Sequence, residues 1–221
     1  TRNGVCHRKR AEFTLIGSFE MSTNYTPAQL SAMTVAQLNA LAASQFASFT
    51  SAQIQALSPL QLNGLSKANF AAVNVSYFTK AQVNGLSTTA VSYLTTTQVA
   101  ELTATEISYF TSAQLNAFTT AELTALSKTQ VQALSTTQLS GMTAGAFSAL
   151  ALGSLTAAQL GGLNAAEMAS ISTANFDKYI APSLASLGTQ GLSGISFAQA
   201  QSLTVAQING MSAGSVASLS G

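Results

Sequence analysis

Apolar residues recur at two fixed positions in every eight along residues 79–150. Written in eights, the stretch reads TKAQVNGL, STTAVSYL, TTTQVAEL, TATEISYF, TSAQLNAF, TTAELTAL, SKTQVQAL, STTQLSGM, TAGAFSAL, nine successive copies of the pattern [Ser/Thr]-x-x-[Gln/Glu]-[Leu/Val/Ile]-x-x-[Leu/Phe]. Positions five and eight, such as Leu115 and Phe118, are three apart and share one face of a helix. Positions one and four form a capping box: the hydroxyl accepts from the backbone N–H three residues on, and the Gln or Glu reaches back to the cap. The pairing recurs at Thr79 with Gln82, Thr95 with Gln98, Thr103 with Glu106, Thr111 with Gln114, Thr119 with Glu122, Ser127 with Gln130 and Ser135 with Gln138. Each octad therefore announces a helix start.

One continuous helix does not fit. At about 100° per residue an octad turns roughly 800°, so the apolar stripe drifts about 80° per copy and winds around the cylinder. In a strand, positions five and eight fall on opposite faces. The pattern predicts instead a helix of about two turns per octad, kinked at each Ser or Thr. The fold class is all-α: a solenoid of very short capped helices, one per eight-residue repeat. Two buried aliphatic side chains do not offset the backbone entropy of eight ordered residues, so stability must come from stacking between copies.

The octads run from Thr26 to Leu219 in blocks 26–73, 79–150 and 156–219, separated by two five-residue breaks, and number six, nine and eight. This makes residues 26–219 one repeat domain after a non-repeat leader, residues 1–25. Pro27 and Pro59 follow the cap residue directly, at the first helical position, where the missing N–H costs nothing. The break NVSYF at 74–78 fits positions four to eight and predicts one longer helix through Phe70, Val73, Tyr77 and Phe78, with a local change of pitch. The break ALGSL at 151–155 matches the same positions. In the last block the copies degrade: Ile180 and Gly188 replace the cap, and Ser183 and Gly191 replace the Gln. Asp177, Lys178 and Tyr179 form the most irregular polar spot, read as a worn repeat or bend, with a contact site as the alternative. Position seven is mostly Ala, Gly or Ser, which favours close stacking. Tyr93, Glu101 and Tyr109 depart from it and are expected to mark a face that meets solvent or a partner.

Charge bears on partners. Charged residues make up 7% of the chain, against roughly 25% in ordinary soluble domains. The exterior is therefore Ser, Thr, Asn, Gln and Ala, with little repulsion to keep copies apart, which favours self-association. Arg2, Arg8, Lys9 and Arg10 sit in the leader, leaving four Lys against five acidic residues beyond residue 20, a net charge of −1. HRKR has no aromatic platform or basic fold behind it, so no nucleic-acid partner is expected. Met21-Ser-Thr-Asn reads as a natural start, which predicts that residues 1–20 are an added or upstream segment. No run approaches 18 apolar residues, so membrane insertion is not expected.

Candidate chemistry is sparse. The only Cys (Cys6) and the only His (His7) lie in the leader, so the array lacks the usual nitrogen and sulfur ligands for zinc or iron. Glu101, Glu106 and Glu122 are the closest acidic residues, and the last two occupy capping positions. The many hydroxyls have no His or placed Lys to activate them, and Gly161-Gly162 lacks the Lys-Ser/Thr of a phosphate loop. The sequence assigns no catalytic, cofactor-binding or metal residue, no cofactor, and no enzyme activity.

Copies such as TSAQIQAL, TTAELTAL and STTQLSGM resemble the Thr/Ser-Ala-Gln-rich octapeptide arrays of large bacterial secreted or surface-exposed, adhesin-like repeat proteins. That resemblance covers residues 26–219 and implies an extracellular or bacterial cell-surface location, with which the single Cys agrees. The expected function is that of a structural or interaction protein: a stalk, adhesin segment or self-assembling filament subunit. SAGSVASL stops in register at Leu219 without a polar capping repeat, as if the next copy could come from another molecule, so self-association is expected head-to-tail or laterally. The alternative is a binding module whose repetitive Ser/Thr rows meet a glycan, a cell surface or ice. Tyr93 and Tyr109 share position seven, as a glycan platform would require.

Overall fold

A computed structural model describes residues 25–219, and the expectations for the leader lie outside these residues. Among the described residues there are 22 short α-helices in tandem and no strand. All seven capping boxes read from the central block are formed. At Thr79 the cap N–H donates to Gln82 Oε1 at 2.9 Å, and the Gln82 N–H donates back to Thr79 Oγ1 at 3.2 Å. Pro27 and Pro59 each open a helix, Pro27–Ala32 and Pro59–Asn63. Ala42 has no side-chain acceptor, yet its N–H still donates to Gln45 Oε1 at 2.9 Å, so half of the box survives.

The helices are shorter than two turns. Most run four to six residues, as in Lys80–Gly85, Thr88–Val91, Thr96–Glu101 and Ala104–Ile107, which is about one to one and a half turns. The chain breaks between octads; it does not kink. Leu86 at position eight and Ser87 at position one are both extended, with ψ of 134° and 156°. Two residues of each octad are thus spent on reversing the chain, and position eight closes the helix with a bond such as Leu86 N–H to Val83 O at 3.1 Å.

The longer helix expected through Phe70–Phe78 is absent. Lys67–Ala71 ends as an ordinary octad helix, and a separate 3-10 turn, Val75–Tyr77, follows. Asn74 decides this, because its Oδ1 accepts from the Ser76 N–H at 3.1 Å and from the Ser76 hydroxyl at 2.7 Å. An Asn side chain that caps the backbone two residues on competes with helix continuation. The second break forms the matching turn Leu152–Ser154. Fusion occurs elsewhere: Thr173–Asn175 runs into a π-turn, Phe176–Ile180, and then a 3-10 segment, Ala181–Ser186. Ile180 at position one offers no cap acceptor, is fully buried, and keeps helical angles (φ −102°, ψ −49°), so two octads join into one bend.

Positions five and eight build one continuous core from Tyr25 to Leu192. Each helix packs on the helix three steps later: Ala43–Ala47 on Lys67–Ala71, Ala104–Ile107 on Lys128–Ala133, and Ser112–Leu115 on Thr136–Ser140. Position seven lies at this crossing. A Cβ on Gly64 would stand 2.6 Å from Val35 Cγ1, and one on Gly85 2.6 Å from the Pro59 Cβ. Small residues at position seven therefore let position two of the helix three steps earlier approach.

Candidate interaction site

The position-four Gln caps its own helix through Oε1 and leaves its amide nitrogen free to act elsewhere. That Nε2 crosses to the turn below and donates to two carbonyls, those of positions five and eight. Gln130 reaches Val99 O at 2.8 Å and Leu102 O at 2.7 Å. Gln114 reaches Val83 O and Leu86 O at 2.7 and 2.8 Å. The sequence separations are 31 and 28 residues, four octads back. Where a five-residue break intervenes they fall to 28 and 25, as for Gln82 to Ile54 and Leu57 and Gln159 to Val131 and Leu134. A break thus counts as one step. Packing on the third step and hydrogen bonding to the fourth define a solenoid of between three and four steps per turn. The latching Gln residues of the central block are buried, with both ends of the amide satisfied (Gln82, Gln114 and Gln130 are each 3% exposed), as a buried polar group requires.

Sequence reasoning missed a second clamp, formed by Asn at position six. Asn116 Nδ2 donates to Gly141 O at 3.0 Å, and its Oδ1 accepts the Thr143 N–H at 2.7 Å. Asn39 does the same to Gly64 O and Ser66 N, and Asn63 to Gly85 O and Ser87 N. Each of the three served octads lacks a Gln to cap its own start: Asn69, Ala90 and Ala146 stand at position four. The available signal was an Asn four steps before each of these three copies.

The tyrosines at position seven do not form a platform. Tyr93 is half-buried edge-on to Phe70 at 6.3 Å between centroids, and Tyr109 is half-buried with Lys80 Nζ 5.6 Å from its ring. They lie two steps apart, whereas stacking joins steps three and four apart, so they face different sides. Glu101 is exposed. Glu106 and Glu122 are buried caps whose Oε2 atoms accept the Thr103 and Thr119 N–H groups at 2.6 and 2.7 Å. Among the described residues no group of three or more His, Cys, Asp or Glu gathers to hold a metal. No helix among them is long and apolar enough to cross a membrane.

Two surfaces stand out. The first is an open groove of about 440 Å³ lined by Leu150, Ala151, Leu152, Gly153, Ser154, Asn175 and Tyr179. It opens where Asn175 replaces the longer Gln and where the second break meets the bend; the Tyr179 ring lies against Gly153, with Lys178 Nζ 4.9 Å from the ring centroid. Of the irregular trio, Asp177 faces away to accept the Ser202 hydroxyl. The second is the C-terminal face. Of the five exposed large hydrophobics among the described residues, four are Phe197, Val205, Ile208 and Val216. Ile208 and Val216 sit at octad position five, which another turn covers throughout the central block, whereas Phe197 and Val205 sit at position two, which is exposed or half-buried along the array.

Read from position seven, the octads run Ala117-Phe-Thr-Thr-Ala-Glu122, Ala125-Leu-Ser-Lys-Thr-Gln130 and Ala133-Leu-Ser-Thr-Thr-Gln138. Residues 107–144 match a family described as the ALTTAQ repeat. The ALTTAQ hexad spans the small stacking residue, the inward apolar residue, the cap and the Gln, so its letters are the groups that close one helix and latch the next. No curated protein and no solved structure matches the chain.

Proposed function

We propose that this repeat protein is a structural and interaction element of the extracellular or bacterial surface, a stalk, adhesin segment or filament subunit, that associates end to end with a second copy of itself. The carrying observation is the C-terminal face. Ile208 and Val216, at the position five that is buried in the central copies, are exposed there, and no Gln amide among the described residues reaches the carbonyls of Ile208 and Met211. Both features are what an octad turn covers elsewhere: its helices bury the apolar positions and its Gln amides take the carbonyls. Within the described residues the amides of Gln29, Gln37 and Gln45 reach no carbonyl, so they are the chemical complement of those acceptors. Low charge removes the repulsion that would hold copies apart. On this reading the chain is not an enzyme and needs no cofactor.

A second reading, a glycan-binding module, is favoured by the groove, where the Tyr179 ring and the Asn175 amide offer the stacking face and hydrogen bonds that sugars use. A regular hydroxyl surface is less favoured, because position-one hydroxyls are engaged: Thr50 Oγ1, for example, donates to Gln53 Oε1 at 2.9 Å.

Sedimentation velocity at two concentrations, with electron microscopy of the same samples, tests the first reading. Species that lengthen with concentration, and that revert to single copies in the Ile208→Asp, Val216→Asp double variant with its helical spectrum intact, are the expected result. Single copies at every concentration would overturn it, and glycan arrays with Tyr179→Ala as control would then test the groove.

A further inference from the structure

Glu167 stands where a Gln should. It caps Asn164, whose N–H donates to Glu167 Oε2 at 2.6 Å, and it is 3% exposed. Its other oxygen, Oε1, is buried with no hydrogen-bond partner, alone in this among side-chain atoms of the described residues. The register says what lies opposite. The five-residue break at 151–155 lies within the four steps behind the octad of Glu167, as it does behind that of Gln159, and Gln159 donates to carbonyls 28 and 25 residues back. The same step carries the outer atom of Glu167 to the carbonyls of Leu139 and Met142. There an amide would donate; a carboxylate brings a third acceptor to two acceptors. The cap worsens the mismatch, since Asn164 spends its Oδ1 on the Glu167 N–H at 3.0 Å and has no hydroxyl proton to offer, whereas Thr caps supply one to the Gln oxygen, as Thr79 does at 3.2 Å.

We infer that Glu167 is protonated in the folded array and donates its carboxyl proton to the carbonyls of the turn below, making residues 135–171 a pH-sensitive joint in a ladder built mostly of neutral Gln amides. The chemistry balances simply: the carboxyl O–H replaces the amide N–H as donor, and raising the pH removes that proton to solvent. Burial supports this by pushing the Glu167 carboxyl above its ordinary value of 4.5, against the lowering effect of the Asn164 N–H. No other charge competes. The helices around it, Thr136–Ser140, Ala144–Ser148, Ala157–Gly161 and Thr189–Ser193, carry no titratable side chain, and the nearest charged residues along the chain are Asp177 and Lys178. Because the folded-state value is raised, the contribution of this group to stability is full below 4.5 and is lost as pH rises through the raised value.

Hydrogen exchange read by mass spectrometry, corrected for intrinsic rates, tests the joint between pH 4 and 8. Protection of peptides covering 135–142 and 164–171 should fall by up to about tenfold per pH unit above the raised value in the native chain, the limit set by release of one proton. In Glu167→Gln, protection should stay flat and high, with peptides over Gln114 and Gln130 unchanged in both proteins. Parallel pH profiles in native chain and variant would overturn the inference. So would protection at pH 8 that is restored by potassium but not by sodium, since a bound cation would then fill the place assigned to the proton.

Discussion

Asn116 lies 27 residues before Thr143, and its side-chain oxygen accepts the backbone N–H that begins the Thr143 helix. Thr143 needs this help because Ala146 stands where a Gln would reach back. One residue therefore completes the cap of another a full turn away.

Asn116→Ala removes the partners of the Thr143 N–H and the Gly141 carbonyl, both open to water, and should lower stability to urea unfolding by about 0.5–1.5 kcal/mol. Adding Ala146→Gln should restore most of that loss. By register the new amide would find Leu115 O and Phe118 O, while its oxygen takes the Thr143 N–H. Failure of Ala146→Gln to rescue would show that the Asn clamp acts through packing, not through the cap.

Gln130 and Gln37 hold the same octad position in different settings. Gln130 caps and latches, whereas Gln37 is exposed and only caps. Gln130→Met should cost about 2–3 kcal/mol, because two buried carbonyls lose their donor. Gln37→Met should cost about 1 kcal/mol, the worth of a cap interaction. Equal losses in thermal unfolding would mean that the inter-turn bonds contribute nothing net.

Gly64 and Val35 meet where helices three steps apart cross. Gly64→Leu should destabilise by about 1–3 kcal/mol through overpacking. Val35→Ala in the same chain should recover part of it, and the double-mutant cycle should show a favourable coupling between the two sites. Additive effects would place the strain elsewhere.

Much of this arrangement is readable from the octad itself. Thr79 with Gln82, and Leu115 with Phe118, specify a capped start and an inward face without reference to any other copy. What lies between copies is not specified that way. The capping box already accounts for one end of Gln130, and nothing local says where the amide nitrogen goes, because its acceptors are main-chain carbonyls that every residue has. Asn116 looks like an unremarkable variable position until it is set beside Ala146. Helix length was misread because periodicity counts apolar positions and not the two extended residues, such as Leu86 and Ser87, that turn the chain. At 70–78 the apolar spacing fits a helix, but the Asn74 side chain captures the Ser76 N–H and wins over periodicity. The groove at Tyr179 escaped notice because it needs both the break at 151–155 and the fused bend, 20 and more residues apart.

Because Gln82 and Gln130 find equivalent carbonyls across spacings of 25–28 and 28–31 residues, the ladder counts chain reversals and ignores length. In-frame duplication or deletion of a Gln-bearing copy within the gene would slide the amides of the next four copies onto a fresh pair of carbonyls with the same geometry and leave later ones with their own. Asn116 and Thr143 have no such freedom, since a copy gained or lost between them parts donor from acceptor. Array growth is thus genetically easy among the regular copies and penalised inside the three Asn-spanned intervals, which should be inherited as intact blocks.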